Sequence, residues 1–528
     1  MLDNITYIAI LLTCSIFIYK RLKTLMLFYQ QEEYDNIRFI KYSFNRLKLV
    51  DKKLTTTLLF LQLVIYLTKT EQCFIYIPLI LLFFIFLEQN PCLKGKKKLV
   101  FTVRVKRILF IAALNLALIM FFSLKFDNYL ILVLIILIQL LPLILVCANI
   151  ILAPYENKLQ SNYLNDAKQK LALCKPQIIA ITGSYGKTST KHILAHILAS
   201  IYPTLITPAS VNTLMGITRI IREKLTPEHQ YFIVEMGAYG INSIKSLCNL
   251  TPPNYGIITA VGNAHYERFK NIENVAQAKF ELSDAVAVKQ GKTLVNIDAI
   301  AHNFINKYGK NIVKIGSASA AEYQIDAVRQ TDKGLNFNLK HAKNTYLIET
   351  PLFGLQHTGN IALAFALAHQ LGLEPDIIIA TLKSLPQIEH RLEVIKKNGA
   401  ATIIDDAYNA NPTGFIAALE ILTLLKKPKG RRILVTPGLV ELGNLHVEKH
   451  SELGKISAKH VDIALIICSE RIQSFVINFN KYKNNQQLLY DFPNFAAAKK
   501  WLELNATAND VILYENDLPD LYENKLSL

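Results

Sequence analysis

The clearest chemical capacity in this 528-residue chain lies in residues 178–190, IIAITGSYGKTST. Gly183 and Gly186 let backbone amides close on a phosphate without Cβ clashes. Lys187 can neutralise outer phosphate charge, and the Thr188 hydroxyl can ligate Mg²⁺. The position five before Gly186 is Ile181 rather than glycine. The eight-residue P-loop pattern is therefore incomplete, and a Gly-rich strand–helix turn is the alternative for this stretch alone. Glu235 ends the run YFIVEMG (231–237) and offers a hard oxygen ligand to Mg²⁺, or is a solvated loop carboxylate. His265, in GNAHYE (262–267), and Lys279, in a helical stretch at 273–288, read by themselves as a loop histidine and a surface lysine. In DDAYNANP (405–412), Asp406 and the two asparagines, Asn409 and Asn411, form a turn-rich loop that can bind polar substrate groups. No Ser-His-Asp or Cys-His grouping supplies a nucleophile.

The elements that must position these groups are strands alternating with helices. Residues 178–182 form a β-branched apolar run, the pattern of a buried parallel strand, and 187–199 repeat apolar residues at helical spacing. Runs at 231–237 and 255–261 read as further buried strands, and a doubly wound sheet places ligands at such carboxyl ends. Short alternating runs at 323–328, 334–339 and 345–348 predict antiparallel strands flanking the sheet, and 361–371 a helix. Strands at 401–404, 432–436, 463–467 and 511–514 alternate with helices and predict a small Rossmann-like domain.

The formal charge of +17 is uneven: residues 1–153 hold 18 Lys/Arg against 8 Asp/Glu. That asymmetry points to a membrane surface, and nucleic acid is not expected. Five apolar segments (5–19, 54–68, 73–87, 108–124 and 129–153) predict a helical membrane domain with about five transmembrane helices. Basic residues crowd the loops after the first and third segments, which predicts an outside N-terminus and cytoplasmic catalytic domains, where ATP is. No span centre carries paired charges, which speaks against an ion pathway. The seven cysteines show no metal spacing and read as reduced. The expected organisation is an α-helical membrane domain at 1–153, a polar helical linker at 154–175, a P-loop-type central ATPase domain at 176–397 and the Rossmann-like domain at 398–528.

TGSYGKT (182–188), NTLMG (212–216), VEMGA (234–238), AHYE (264–267) and AKFEL (278–282) occur in an order and spacing that resembles the Mur ligase superfamily, the ATP-dependent amide ligases of peptidoglycan precursor synthesis. The resemblance implies ATP held by Thr182, Gly183, Ser184, Gly186, Lys187, Thr188 and Ser189. It implies two Mg²⁺ ions, one on Thr188 and Glu235 and a second on His265 and a carbamylated Lys279. Lys187, Glu235, His265 and Lys279 would form the catalytic set, with Asn212 in a substrate loop. GLQHTGN (354–360) is similar to the family's adenine-side GxHNxxN: Asn360 matches, while Gln356 and His357 depart. Arg391 stands where the family carries an arginine near the phosphates.

DDAYNANP resembles the DDxYNANP signature of the D-alanyl-D-alanine-adding branch. It implies Asp406 at the nucleotide and Tyr408, Asn409 and Asn411 at the substrate, with Glu441 in an ELG…H…G pattern completed by His450 and Gly454. The implied partners are UDP-MurNAc-tripeptide and D-Ala-D-Ala; the apolar segments add, as a hypothesis, product transfer to a lipid-linking enzyme of the same pathway. The implied setting is the bacterial inner membrane. Two features depart: YENDLPD (514–520) stands where the branch has Lys-Gly-Ser-Arg, and apolar segments stand in place of its soluble UDP-binding domain. The alternatives are another ligase of the superfamily, of folylpolyglutamate or cyanophycin type, or a non-catalytic membrane-anchored nucleotide-binding scaffold.

Overall fold

The computed structural model describes residues 4–32, 34–47, 52–68, 71–87, 99–123, 130–262, 269, 271–407, 411–440 and 442–516. They fall into two compact units, one of residues up to 159 and one of residues 160–518.

The first unit is helical: α1 (Asn4–Gln31), α2 (Asn36–Leu47), α3 (Lys52–Thr68), α4 (Tyr76–Leu87), α5 (Val103–Ser123) and the first part of α6 (Leu130–Cys174). By length and composition, residues 5–31 and 131–174 are long and apolar enough to cross a membrane, whereas 53–68 and 73–87 are shorter apolar helices. On α1, Ile10, Cys14 and Phe17 are buried, while Ile5, Ile8, Leu12, Ile16 and Tyr19 form an exposed stripe at helical spacing. Some polar groups pair internally. Arg107 bridges to Glu156 at 2.7 Å, and Arg104 donates to Asn149 at 3.2 Å with its guanidinium over the Tyr34 ring.

The second unit holds two sheets. In the first, β1 (Gln177–Thr182), β2 (Thr204–Ile206), β3 (Tyr231–Glu235), β4 (Tyr255–Ile258), β5 (Thr293–Asn296), β6 (Ile312–Gly316), β7 (Tyr323–Thr331), β8 (Gly334–His341) and β9 (Asn344–Thr350) lie in the order β2-β3-β1-β4-β5-β6-β7-β8-β9. Strands through β7 pair in parallel, and β7, β8 and β9 form the antiparallel flank the alternating runs predict. Alternation along β1 sends Ile179 and Ile181 into one apolar layer, with helices α7 (Lys187–Ala199) and α12 (His357–Gln370). Ile178 and Ala180 enter the other layer, with α8 (Leu214–Lys224), α9 (Ser243–Leu250), α10 (Ile272–Val288) and α11 (His302–Tyr308). Each fully buried Ile or Leu in these layers contributes about 1.5–3 kcal/mol relative to exposure. Helix α12 begins at His357, four residues before the predicted start at 361; its first turn is buried.

The second sheet follows α13 (Pro375–Lys383). Its strands β10 (Glu393–Ile395), β11 (Thr402–Asp406), β12 (Arg432–Thr436), β13 (Ile463–Ile467), β14 (Leu488–Phe492) and β15 (Val511–Glu515) take the order β10-β11-β15-β12-β13-β14. All neighbours are parallel except β10–β11. Helices α14 (Pro412–Leu424), α15 (His446–His460) and α16 (Gln473–Tyr482) cover one face, and α17 (Phe495–Asn505) covers the other.

Candidate active site

The glycine-rich loop leaves β1 at the carboxyl edge of the first sheet. Gly183 has φ +155° and Gly186 φ +81°; a Cβ on the first would meet Thr259 Oγ1 at 1.9 Å, and one on the second Asn360 Oδ1 at 2.5 Å. Only glycine fits both the conformation and the space. Gly186 precedes α7, which has no side-chain cap. The first-turn amides and the positive end of the helix dipole therefore face the loop, the arrangement that binds phosphate. The Lys187 ammonium turns back onto the Gly183 carbonyl at 2.7 Å, and its pKa is lowered by burial and by Arg391 against the opposing pull of Glu235. Thr182 Oγ1 donates to Met236 O at 3.0 Å, Ser184 N to Ala260 O at 2.9 Å, and Ser189 is buried in the first turn of α7. Tyr185, where the family resemblance has Asn, lays its ring against Gly262 beyond β4 and accepts a hydrogen bond from Thr259 on its carbonyl.

Pairing of Ile181 with Glu235 across β1 and β3 brings the acid beside α7. Thr188 Oγ1 donates to Glu235 Oε2 at 3.0 Å, so the two expected Mg²⁺ ligands meet. Two adjacent hard oxygens next to a phosphate-binding helix end suit Mg²⁺, which keeps several waters and few protein ligands. Two neighbours of Glu235 were not legible as such in the sequence. Lys191, fully buried, reaches Glu235 Oε2 at 3.0 Å and also donates to the Ala209 carbonyl. Thr207 Oγ1 accepts from the Glu235 amide at 3.1 Å. Asn212, expected in a substrate loop, has its side chain engaged: it donates to Glu235 Oε1 at 3.2 Å and accepts from Tyr239 OH at 3.1 Å.

Lys279 is 4% exposed on α10, not on the surface its sequence context suggests. Burial and the charge of Lys187 hold its pKa well below the usual lysine range. A neutral buried amine is the form that adds CO₂ to become a carbamate, a carboxylate-like oxygen donor. His265, the other expected ligand, lies outside the described residues, as do Tyr408, Asn409 and Glu441.

Asn360 accepts from Thr190 Oγ1 at 3.2 Å and closes over Gly186. His357, in the same first turn of α12, is buried with Nδ1 unpartnered, and burial followed by Arg391 pushes its pKa down to about 4. The Thr358 hydroxyl is likewise buried, and neither atom has a hydrogen-bond partner among the described residues. Such orphaned polar atoms beside a phosphate loop are the groups a nucleotide would satisfy. Arg391 acts electrostatically on Lys187, Lys191, His357 and Asp406, which places it centrally in the cluster. Asp406 Oδ1 accepts from the Leu392 amide at 3.2 Å, fixing the crossing between the two sheets. Leu392 has φ +51° and His390 φ +58°, conformations that non-glycine residues hold only under strain.

In the second sheet, Asn411 spends its side-chain oxygen capping α14, accepting from Gly414 N at 2.9 Å. His450 is fully buried and neutral: its Nδ1 donates to His446 O at 2.8 Å while Nε2 accepts from the Leu439 amide at 3.0 Å. It thereby anchors the loop after β12. Gly454 sits beneath Phe475, whose carbonyl a Cβ would meet at 2.3 Å.

Two family models match the chain: the Mur ligase middle domain over residues 181–368, and the Mur ligase glutamate ligase domain over 390–514. Among curated relatives, a UDP-N-acetylmuramoyl-tripeptide--D-alanyl-D-alanine ligase of Bacillus subtilis is 30% identical over 291 residues, covering 55% of this chain and 62% of the relative. The Haemophilus influenzae enzyme of the same name is 30% identical, covering 57% and 65% respectively. The match thus spans less than two thirds of either relative. Among solved structures, the MurF ligase from Thermotoga maritima in complex with ADP superimposes with a TM-score of 0.57 at 25% identity, covering 68% of this chain and 80% of that one. A MurF from Acinetobacter baumannii gives 0.58 at 24% identity, covering 69% and 79%. The two domain models follow one another in order over more than half the chain, with MurF proteins among both relatives and structural neighbours, and the chain belongs to the Mur ligase superfamily.

Proposed function

We propose that this chain is an ATP-dependent ligase that joins D-alanyl-D-alanine to UDP-N-acetylmuramoyl-tripeptide through an acyl phosphate. The observation that carries the reading is the meeting of Thr188, Glu235 and Lys191 beside the uncapped start of α7. The names of the relatives supply the substrates. Mg²⁺, held by Thr188 and Glu235 and, for a second ion, by His265 and a carbamylated Lys279, would offset negative charge on the transferring phosphoryl group.

The loop amides of residues 183–188 and the Lys187 ammonium orient the triphosphate, and Lys187 leaves the Gly183 carbonyl to do so. Arg391 adds positive charge from the side of the second sheet, and Asn360 closes the loop against α12. The tripeptide carboxylate attacks the γ-phosphate, ADP leaves, and the dipeptide amine then displaces phosphate from the acyl group. No side-chain nucleophile is required. The second-sheet domain is read as Rossmann-like, supported by five parallel strands with helices on both faces. Its closure would exclude water from the acyl phosphate.

The helical unit is read as a multi-pass anchor in the bacterial inner membrane, with the N-terminus outside and the ligase domains in the cytoplasm. Support comes from two span-length apolar helices and the exposed apolar stripe on α1. Co-purification tests a lipid-linking enzyme as partner, and protease accessibility in right-side-out vesicles tests the orientation. The deciding experiment is ADP release by the detergent-solubilised chain. Release sustained over many turnovers should require tripeptide and dipeptide together and disappear in Lys187→Ala. Turnover by Lys187→Ala at the wild-type rate would refute the site.

A further inference from the structure

Three side chains able to ligate a metal converge where the chain crosses from the first sheet to the second. His390 lies in the crossing segment, and Glu393 and Asp405 face each other across the β10–β11 pair. One ligand atom from each lies within 4.8 Å of the other two, the one such group of His, Cys, Asp and Glu side chains among the described residues. His390 has a left-handed backbone at φ +58° and sets its Nδ1 2.8 Å from Asp405 Oδ2. The Glu393 carboxylate accepts from the His390 amide at 3.2 Å, which holds the third group beside the ring. The His390 and Asp405 side chains are 45% and 18% exposed, so an ion can enter from solvent.

An ion pair between His390 and Asp405 would hold the crossing with one acid. The register instead puts two acids directly opposite each other on neighbouring strands, an arrangement that is destabilising unless a cation lies between them. Glu389 adds a third carboxylate, 3.6 Å from His390 Nε2. Burial lowers the His390 pKa, yet Asp405, Glu389 and Glu393 together leave it raised, the mark of a negative field at the ring. A singly charged imidazolium leaves the facing carboxylates in excess, whereas a divalent ion balances both with the imidazole neutral. Ligand type then selects the ion. Mg²⁺ and Ca²⁺ take oxygen, while one imidazole with two carboxylates suits Zn²⁺. Zinc stands about 2.0–2.2 Å from such nitrogen and oxygen atoms, which puts tetrahedral ligand atoms about 3.3 Å apart. The 2.8 Å contact has to open by only about half an ångström, and water from the exposed side can fill the fourth position.

We propose that His390, Glu393 and Asp405 form a Zn²⁺ site that pins the crossing segment to the second sheet. Arg391 and Asp406 directly follow two of its ligands, so the ion fixes the segments that carry both. The site shares no ligand with the expected Mg²⁺ sites, and the inference does not depend on the ligase reading.

The test uses the full chain in detergent, stripped with EDTA and then held in excess Mg²⁺ and ADP so that the phosphate side is occupied. ZnCl₂ should raise the melting temperature of the wild type by about 4 °C at roughly 100 times its Kd. In equilibrium dialysis the wild type should bind one equivalent of zinc more than the near-isosteric His390→Gln or Asp405→Asn. Melting in EDTA identifies a variant that does not fold, and Glu393→Gln then takes its place. Equal zinc shifts in wild type and variants would overturn the proposal. A shift lost in Glu235→Gln but kept in His390→Gln would do the same by assigning the zinc to the ATP side. An equal shift with CaCl₂ would overturn the choice of ion, because calcium does not use the imidazole.

Zinc should also slow tryptic cleavage after Lys396 and Lys397, which are exposed in the connection from β10 to β11. The expected slowing is about tenfold in the wild type and absent in the variants, since an ion bound at the open end of the pair opposes its local opening. Cleavage that zinc leaves unchanged in the wild type would refute the pinning.

Discussion

Lys191→Met should expose how the Mg²⁺-side carboxylate is held. Lys191 Nζ lies 3.0 Å from Glu235 Oε2, with the two side chains 0% and 1% exposed. At an effective dielectric of about 20, that separation corresponds to roughly 5 kcal/mol of attraction. The methionine also relieves Lys191 of its own desolvation, and Glu235 keeps its hydrogen bonds from Thr188 and Asn212. The net cost should therefore fall near the lower end of the ~3–5 kcal/mol found when one partner of a buried pair is removed. For a unit of this size that amounts to a melting temperature lower by roughly 4–5 °C, measured in EDTA.

Two further outcomes follow from the same geometry. Adding Mg²⁺ and nucleotide should recover more stability in Lys191→Met than in the wild type, since a cation returns to Glu235. The double variant Lys191→Met/Glu235→Gln should cost clearly less than the sum of the single variants. Additivity to within about 0.5 kcal/mol in that cycle would show that the pair does not interact and would refute the reasoning.

Gly186→Ala should raise KM for ATP sharply, because the Cβ meets Asn360 at 2.5 Å in a backbone at φ +81°, at a strain cost of about 1–3 kcal/mol; isothermal titration with ADP checks it. Removal of CO₂ should lower ligase activity and bicarbonate should restore it, because the depressed pKa of Lys279 leaves its amine free to form a carbamate. Intact-protein mass spectra of wild type against Lys279→Met test the adduct. His450 is held neutral, with its pKa pushed down to about 4 from 6.5. Between those values the unfolded chain binds more protons, so the wild type loses up to roughly 3 kcal/mol of stability as pH falls from 6.5 to 4. Its stability advantage over His450→Gln should shrink across that window in urea titrations, and an advantage independent of pH would show that His450 is not buried neutral.

Much of the first sheet was legible because its residues obey local rules. The β-branched run before Gly183 becomes β1, and the helical repeat after it becomes α7 with the predicted ends. The antiparallel flank follows from period-two alternation in 323–350. Elements stabilised mainly by their surroundings were less legible. The helix expected over 361–371 starts instead at His357, because its first turn, with Thr358 and Asn360, is buried. Strand β14 alternates weakly and is mostly exposed, and β10 is three residues long and pairs antiparallel with β11.

The site shows the same division more sharply. Thr188 and Glu235 could be assigned because strand ends in a parallel sheet share an edge, so the chemistry of each predicts a common location. Lys191 could not, since a lysine on a helix reads as solvated until its partner, 44 residues away, is known. Asn411 looked like a substrate group because its cap bond is a backbone matter invisible to motif comparison. Lys191, Lys279 and Glu515 are each a charged type in a buried place, and each lies toward the carboxyl edge of a sheet or on the helix packed there. A core selected only for stability would have replaced them with apolar residues. That all three stand where ligands of such folds bind argues that local misfit marks function in this chain.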